Sequence, residues 1–154
     1  MNYLDANFVA ALHFNIAGQT QLAERYVRKS SLPYLVSSLA ELEVRRAFLR
    51  RTGHSRSEPW QVFSQNLESG AWLRYPVAWE PSAERTIKLI ERFGATLNAG
   101  TLDTMHVALA QLSGCTWFLS FDTNSNARIL AAAARLKIYP PLQPSEKSKI
   151  PRSS

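Results

Sequence analysis

Four acidic side chains stand in largely apolar company: Asp5 in "NYLDANFVAAL", Glu43 in "SSLAELEVRRAFLRR", Asp103 in "GTLDTMHVALA" and Asp122 in "FLSFDTNSN". Carboxylates are hard oxygen donors. A few of them brought to one point can hold magnesium or manganese, which keep several waters and need no histidine or cysteine ligand. Each acid also has an ordinary employment. Asp5 and Asp122 sit where a strand hands over to a helix, a common place for a capping or turn aspartate. Asp103 falls in the first turn of a helix capped by Thr101, where the helix dipole favours negative charge. Glu43 lies between Leu39 and Ala47 on the helical wheel, on the protein-facing side, and needs a partner there: Arg46 or Arg50, or a cation.

Neighbouring residues are read against these four. "SLAE" forms a capping box with Ser38 at N-cap and Glu41 at N3, and Glu41 precedes Arg45 by four residues, so Glu41 has structural work of its own. His106, one turn after Asp103, reads as a group that orients an acid rather than as a ligand. Asn7 and Asn124 follow the first and last aspartates by two residues and are read as polar supports of the site.

The elements that must position these residues follow from periodicity. A short strand in "NYLD" leads into a helix from about Phe8 with Asn7 as N-cap, and a polar helix spans roughly Thr20 to Lys29. "PYLVSS" has strand composition and runs into a helix stopped by Thr52 and Gly53. "EPWQVFSQNLESG" and "EPSAERTIKLIERFG" each carry proline near the start and glycine at the end, the expected asymmetry of a helix. "AWLRYPVAW" between them is a connector or minor strand. A helix from Thr101 stops at Gly114, the apolar strand "CTWFLSF" ends on Asp122, and a helix in "SNARILAAAARL" precedes a last strand, "KIYP". Strands alternating with helices, one of them continuously apolar, predict a small three-layer α/β fold with a mainly parallel sheet. In such a sheet Asp5 and Asp122 share the crevice beyond the strands' carboxyl ends.

Composition sets the limits. The chain has 154 residues, 45% hydrophobic, enough for one domain with a proper core. Residues 1–142 are assigned to that domain and 143–154, without apolar period, to a flexible basic tail expected to fray. The single cysteine excludes a disulfide framework and a thiolate metal cluster, and fits a reducing cytoplasm. The N-terminal stretch lacks a basic leader and its apolar run is interrupted, against a signal peptide, and no run approaches the roughly 20 residues of a membrane span. A net charge of +6 and a pI near 9.8 favour a polyanionic partner, with Arg46, Arg50 and Arg51 following Glu43 as a row that attracts phosphates, a solvated face or a partner's docking site.

From "YLDANFVAAL" through "SSLAELEVRRAFLRR" and "GTLDTMHVALA" to "FLSFDTNSNARILAAAARLKIYP", the chain resembles the PIN-domain ribonucleases, and within them the VapC toxins of bacterial toxin–antitoxin pairs. The order and spacing of these segments carry the resemblance. It places the family's acids on Asp5, Glu43, Asp103 and Asp122 and leaves Glu41 outside. It implies endonucleolytic cleavage of structured RNA with magnesium or manganese, leaving 5′-phosphate and 3′-hydroxyl ends. Asp5, Asp103 and Asp122 would contact the metal, and Glu43 would hold a metal water. It also implies a homodimer and a small antitoxin. Two positions depart from the family pattern: Asn7 replaces a common serine or threonine, and Gly100 replaces a basic residue. Both would suit an inactive RNA-binding or protein-interaction module, a reading opposed by the presence of all four carboxylates.

Overall fold

The computed structural model describes residues 1–31 and 33–152. In chain order the elements are β1 (Asn2–Leu4), α1 (Ala6–His13), α2 (Thr20–Lys29), β2 (Tyr34–Ser37), α3 (Ser38–Thr52), α4 (Glu58–Glu68) and β3 (Leu73–Tyr75). After them come α5 (Trp79–Phe93), α6 (Thr101–Leu112), β4 (Trp117–Leu119), α7 (Ala127–Ala133), β5 (Lys137–Tyr139) and α8 (Pro144–Lys147). The strands form one parallel sheet in the order β3-β2-β1-β4-β5, flanked by helices on both faces as the alternating pattern requires.

β1 lies at the centre, with Tyr3 in register with Leu35 on one side and Phe118 on the other. Successive strand residues point to opposite faces. Tyr3, Leu35 and Phe118 therefore enter one core with Leu89, Phe93, Val107 and Ile129 from α5, α6 and α7. Leu4, Val36 and Leu119 enter the other with Phe8, Phe48 and Phe63 from α1, α3 and α4. This two-sided burial is why the central strands are apolar without alternation. Tyr3 and Phe118 stack across the β1–β4 seam with ring centroids 5.5 Å apart.

Several local expectations are corrected. α1 begins at Ala6 rather than Phe8, and its N-cap is Asp5, not Asn7: the Asp5 carboxylate accepts the Ala6 amide at 2.9 Å. At α3 the cap is Ser37, whose extended backbone ends β2 and whose hydroxyl accepts the Ala40 amide at 3.1 Å. Ser38 is already helical, and its hydroxyl instead bonds Tyr75 O and Val77 N, fastening the β3–α5 connector. Glu41 pairs with Arg74 on β3 through two bonds of 3.0 and 3.1 Å rather than with Arg45, which lies over the Trp60 ring. Gly100, not Thr101, occupies the N-cap of α6, leaving Asp103 in the first turn. β4 stops at Leu119, so Asp122 lies on the following loop rather than on the strand.

The segment assigned to a tail contains one further element. Residues from Gln143 form the α8 turn, closed by a capping box between Gln143 and Glu146. Glu146 is buried against Arg128 of α7, at 2.9 Å from Nε. An acid isolated among prolines and serines gives no periodic signal, yet the pair with Arg128 and the packing of Ile150 against the core tie the segment to the domain. No helix among the described residues is long and apolar enough to cross a membrane.

Candidate metal centre

β1 and β4 are neighbours although far apart in sequence: from β1 the chain first builds β2 and β3 on one side, then returns to place β4 and β5 on the other. Such a reversal leaves a crevice beyond the carboxyl ends of the two strands. Asp5 stands at the end of β1, and its amide continues the ladder to Leu119 O at 3.0 Å. Besides capping α1 with Oδ1, it accepts at Oδ2 from the Ser120 hydroxyl at 2.7 Å and from the Asn7 amide at 3.2 Å. Asn7 thus supplies Asp5 with a donor where the resemblance has serine or threonine, and its Oδ1 accepts the Phe121 amide at 2.8 Å. Burial raises the Asp5 carboxyl above the ordinary 3.8, His106 and the Ser120 bond oppose this, and Glu43 adds to it.

Glu43 is not paired with Arg46 or Arg50. Its Oε1 meets Nε2 of His106 on α6, and Nδ1 of that imidazole lies 2.6 Å from the Tyr3 hydroxyl, itself 2.7 Å from Ser37 Oγ. Burial alone would depress the His106 pKa. The Glu43 hydrogen bond and the charges of Asp5, Glu43 and Asp103 together overcome it and raise the value above 6.5. Two proton arrangements satisfy the chain: an imidazolium donating from Nε2 to Glu43 and from Nδ1 to Tyr3, with Tyr3 donating to Ser37, or a neutral imidazole donating from Nε2 and accepting the Tyr3 hydroxyl at Nδ1, with Ser37 donating to Tyr3; the raised His106 pKa favours the first. Both nitrogens are engaged, so His106 orients Glu43 and has no lone pair to offer a metal.

Asp103, half-buried at the start of α6, has its carboxyl raised by burial and then by the charges of Asp122 and Asp5. A Cβ at Gly100 would lie 3.5 Å from its Oδ2, so Gly100 leaves that flank open. Asp122 Oδ1 accepts the backbone amides of Asn124 at 3.0 Å and Ser125 at 3.2 Å, which ties the loop after β4. Asn124 therefore reaches Asp122 through its backbone amide.

The four acids line one cleft of about 370 Å³ with Asn7, Gln19, Arg46 and Arg51. Arg50 is exposed and does not line it. The tightest set is Asp5, Glu43 and His106, each with a ligand-type atom within 4.8 Å of the others; Asp103 and Asp122 face the same cleft from further out. The donor set fits a hard divalent cation: the cleft offers carboxylate oxygens, and two of its acids, Asp5 and Asp103, have pKa values raised first by burial and further by neighbouring carboxylates, a cost a cation would relieve. Sequence reasoning missed Tyr3, Ser37 and Ser120, whose types are ordinary in a strand. Only Ser120, polar inside "FLSF", gave a signal.

Sheet order and cleft define a parallel α/β domain with an acid-lined crevice at its switch point. The PIN domain family model matches residues 3–135, and the chain belongs to that family. Comparison with curated protein sequences gives no match. Among solved structures the fold is similar to VapC20 of Mycobacterium tuberculosis, described as a Sarcin-Ricin loop cleaving toxin, at TM-score 0.68 and 17% identity over 89% of this chain and 99% of that one. It is also similar to FitAcB of Neisseria gonorrhoeae, at 0.64 and 16% over 90% and 96%. FitAB bound to an IR36 DNA fragment gives 0.63 and 16% over 90% and 94%.

Proposed function

We propose that this PIN domain is a divalent-metal-dependent endoribonuclease toxin of the VapC kind, cutting structured cellular RNA such as tRNA or rRNA to 5′-phosphate and 3′-hydroxyl ends. The observation that carries the reading is the meeting of Asp5, Glu43, Asp103 and Asp122 in one cleft. Asp5, Asp103 and Asp122 would hold magnesium or manganese directly or through water, and the cation supplies Lewis acidity toward the scissile phosphate. Glu43, oriented by His106, would hold a water of that metal. Arg46 and Arg51 at the cleft wall draw the phosphate backbone inward, and Arg50 on the same helix adds to the field outside it. The likeness to a toxin that cleaves the Sarcin-Ricin loop supports RNA as the substrate.

Partners follow from the same reading. A small antitoxin would cover the cleft, and a second copy would cover some of the large apolar side chains exposed on α3, α5 and α6, where Leu42, Trp79 and Leu102 are 70%, 65% and 59% accessible. The cytoplasm, where its RNA targets lie, is the proposed site of action. The decisive experiment is expression in a bacterial host with sequencing of new RNA ends. Wild type should arrest growth and produce 5′-phosphate ends at defined sites. Asp5→Asn, equally soluble, should do neither; equal toxicity from that variant would refute the nuclease reading.

A further inference from the structure

Arg128 is 2% exposed, and its guanidinium reaches four separate residues. Nε and Nη2 bond the two Glu146 oxygens at 2.9 and 3.3 Å, Nη2 also bonds the carbonyls of Pro140 at 2.8 Å and Pro141 at 3.2 Å, and Nη1 bonds the carbonyl of Ser120. Glu146 alone would neutralise the charge. The three carbonyls do something else: they fix the chain after β5 and the chain after β4 against one side chain. Ser120 is thereby pinned at every polar atom, with its amide on Tyr139 O at 3.1 Å, its carbonyl on Arg128 and its hydroxyl on Asp5 Oδ2 at 2.7 Å. Two residues further on is Asp122.

We propose that Arg128 is a positioning residue for the acidic cleft, and that the α8 turn, through Glu146, belongs to the scaffold of that cleft. The proposal rests on the metal-site reading given above. Its path runs Glu146, Arg128, Ser120, Asp5, and its first member lies beyond residues 3–135, the part that matches the family model. A buried arginine deprived of its carboxylate is strongly disfavoured. Loss of Glu146 should therefore shift Arg128 toward water and release the Ser120 carbonyl, leaving Asp5 and the Asp122 loop less well placed.

The test uses the full chain with manganese ion alone as probe, free manganese being counted by electron paramagnetic resonance. Glu146→Gln should weaken manganese binding on the order of tenfold, as loss of an outer support does at metal sites, while Glu41→Gln, which breaks a surface pair away from the cleft, should leave it unchanged. RNA cleavage by Glu146→Gln should recover its kcat at saturating manganese, which a loss of folded protein would not allow. A second measurement needs no variant. In native-state hydrogen exchange on the metal-free wild type, the amides of Gln143, Phe121 and Asp122 should open with one common free energy. Unchanged manganese affinity in Glu146→Gln, or α8 opening while Phe121 and Asp122 stay protected, would overturn the proposal. Manganese binding without RNA cleavage in the wild type would refute the nuclease reading and leave this inference to the binding shift. No manganese binding in the wild type would refute both.

Discussion

Glu43 reaches from α3 to Nε2 of His106 on α6, and the pair is lopsided: the imidazole is 3% exposed and the carboxylate 42%. The buried partner is locked between Tyr3 and Glu43, while the acid keeps one face toward the cleft. A carboxylate oriented from behind and open in front is arranged to work on something that arrives from solvent.

Glutamates two residues apart should accordingly behave differently. Glu43→Gln should abolish magnesium-dependent RNA cleavage with a cooperative melt retained. Glu41→Gln should keep full activity and lose at most about 1 kcal/mol, because its pair with Arg74 is partly solvated. Parallel cleavage assays and denaturant melts decide it; equal loss of activity in both variants would remove Glu43 from the site.

Stability of the metal-free protein should depend on pH in a direction set chiefly by His106, Asp5, Asp103 and Glu146, with His13, lowered below 6.5 by burial, partly opposing His106 near pH 6.5. His106 is raised above 6.5 on folding, so its contribution is full below 6.5 and is lost as pH climbs through the folded value. Asp5 and Asp103 are raised above 3.8 and cost stability progressively once pH passes 3.8. Glu146, lowered below 4.5 by Arg128 and the Gln143 amide despite burial, acts oppositely: its contribution is present above 4.5 and lost as pH falls through the folded value. Melting temperature in chelator should therefore decline as pH rises above 6.5, and His106→Gln should flatten that decline. A decline from pH 7 to 8 that is no steeper in wild type than in His106→Gln would contradict the upward shift of His106.

Asp103→Asn should melt higher than wild type in chelator at neutral pH, because one of the mutually repelling charges is gone at nearly constant shape. Magnesium should reverse the order. A ligand at about 100 times its dissociation constant stabilises the intact site by roughly 2.7 kcal/mol, and the site short of one carboxylate should gain less. Equal destabilisation with and without magnesium would make Asp103 a helix-terminus residue and nothing more.

The order of strands and helices was legible in the sequence because the central strands are mostly apolar without alternation and most helices are punctuated by proline, serine or glycine. The four acids could be singled out because they interrupt apolar segments. What stayed hidden depends on residues distant in the chain. Ser37 and Ser38 are indistinguishable as caps until Tyr75 and Val77 claim the second hydroxyl. Glu41 had a suitable partner four residues away, and the fold gave it Arg74 instead, 33 residues on. Glu146 lies in the segment without apolar period, and its burial against Arg128 depends on contacts that the fold makes after β5, where Pro140 and Pro141 also turn their carbonyls to that guanidinium.

Asp5 is synthesised well before Ser120, whose hydroxyl holds its Oδ2 from 115 residues further along, on the far side of the β1–β4 seam. A growing chain can form β1, α1 and the pairing with β2 early, because those contacts are nearer in sequence. The β1–β4 pairing closes a far longer loop, and parallel contacts of that span form slowly. The cleft is thus completed only after the β1–β4 pairing has formed. On the ribonuclease reading proposed above, the chain would be inert until β4 docks against β1, so that activity would begin only with this late, long-range pairing.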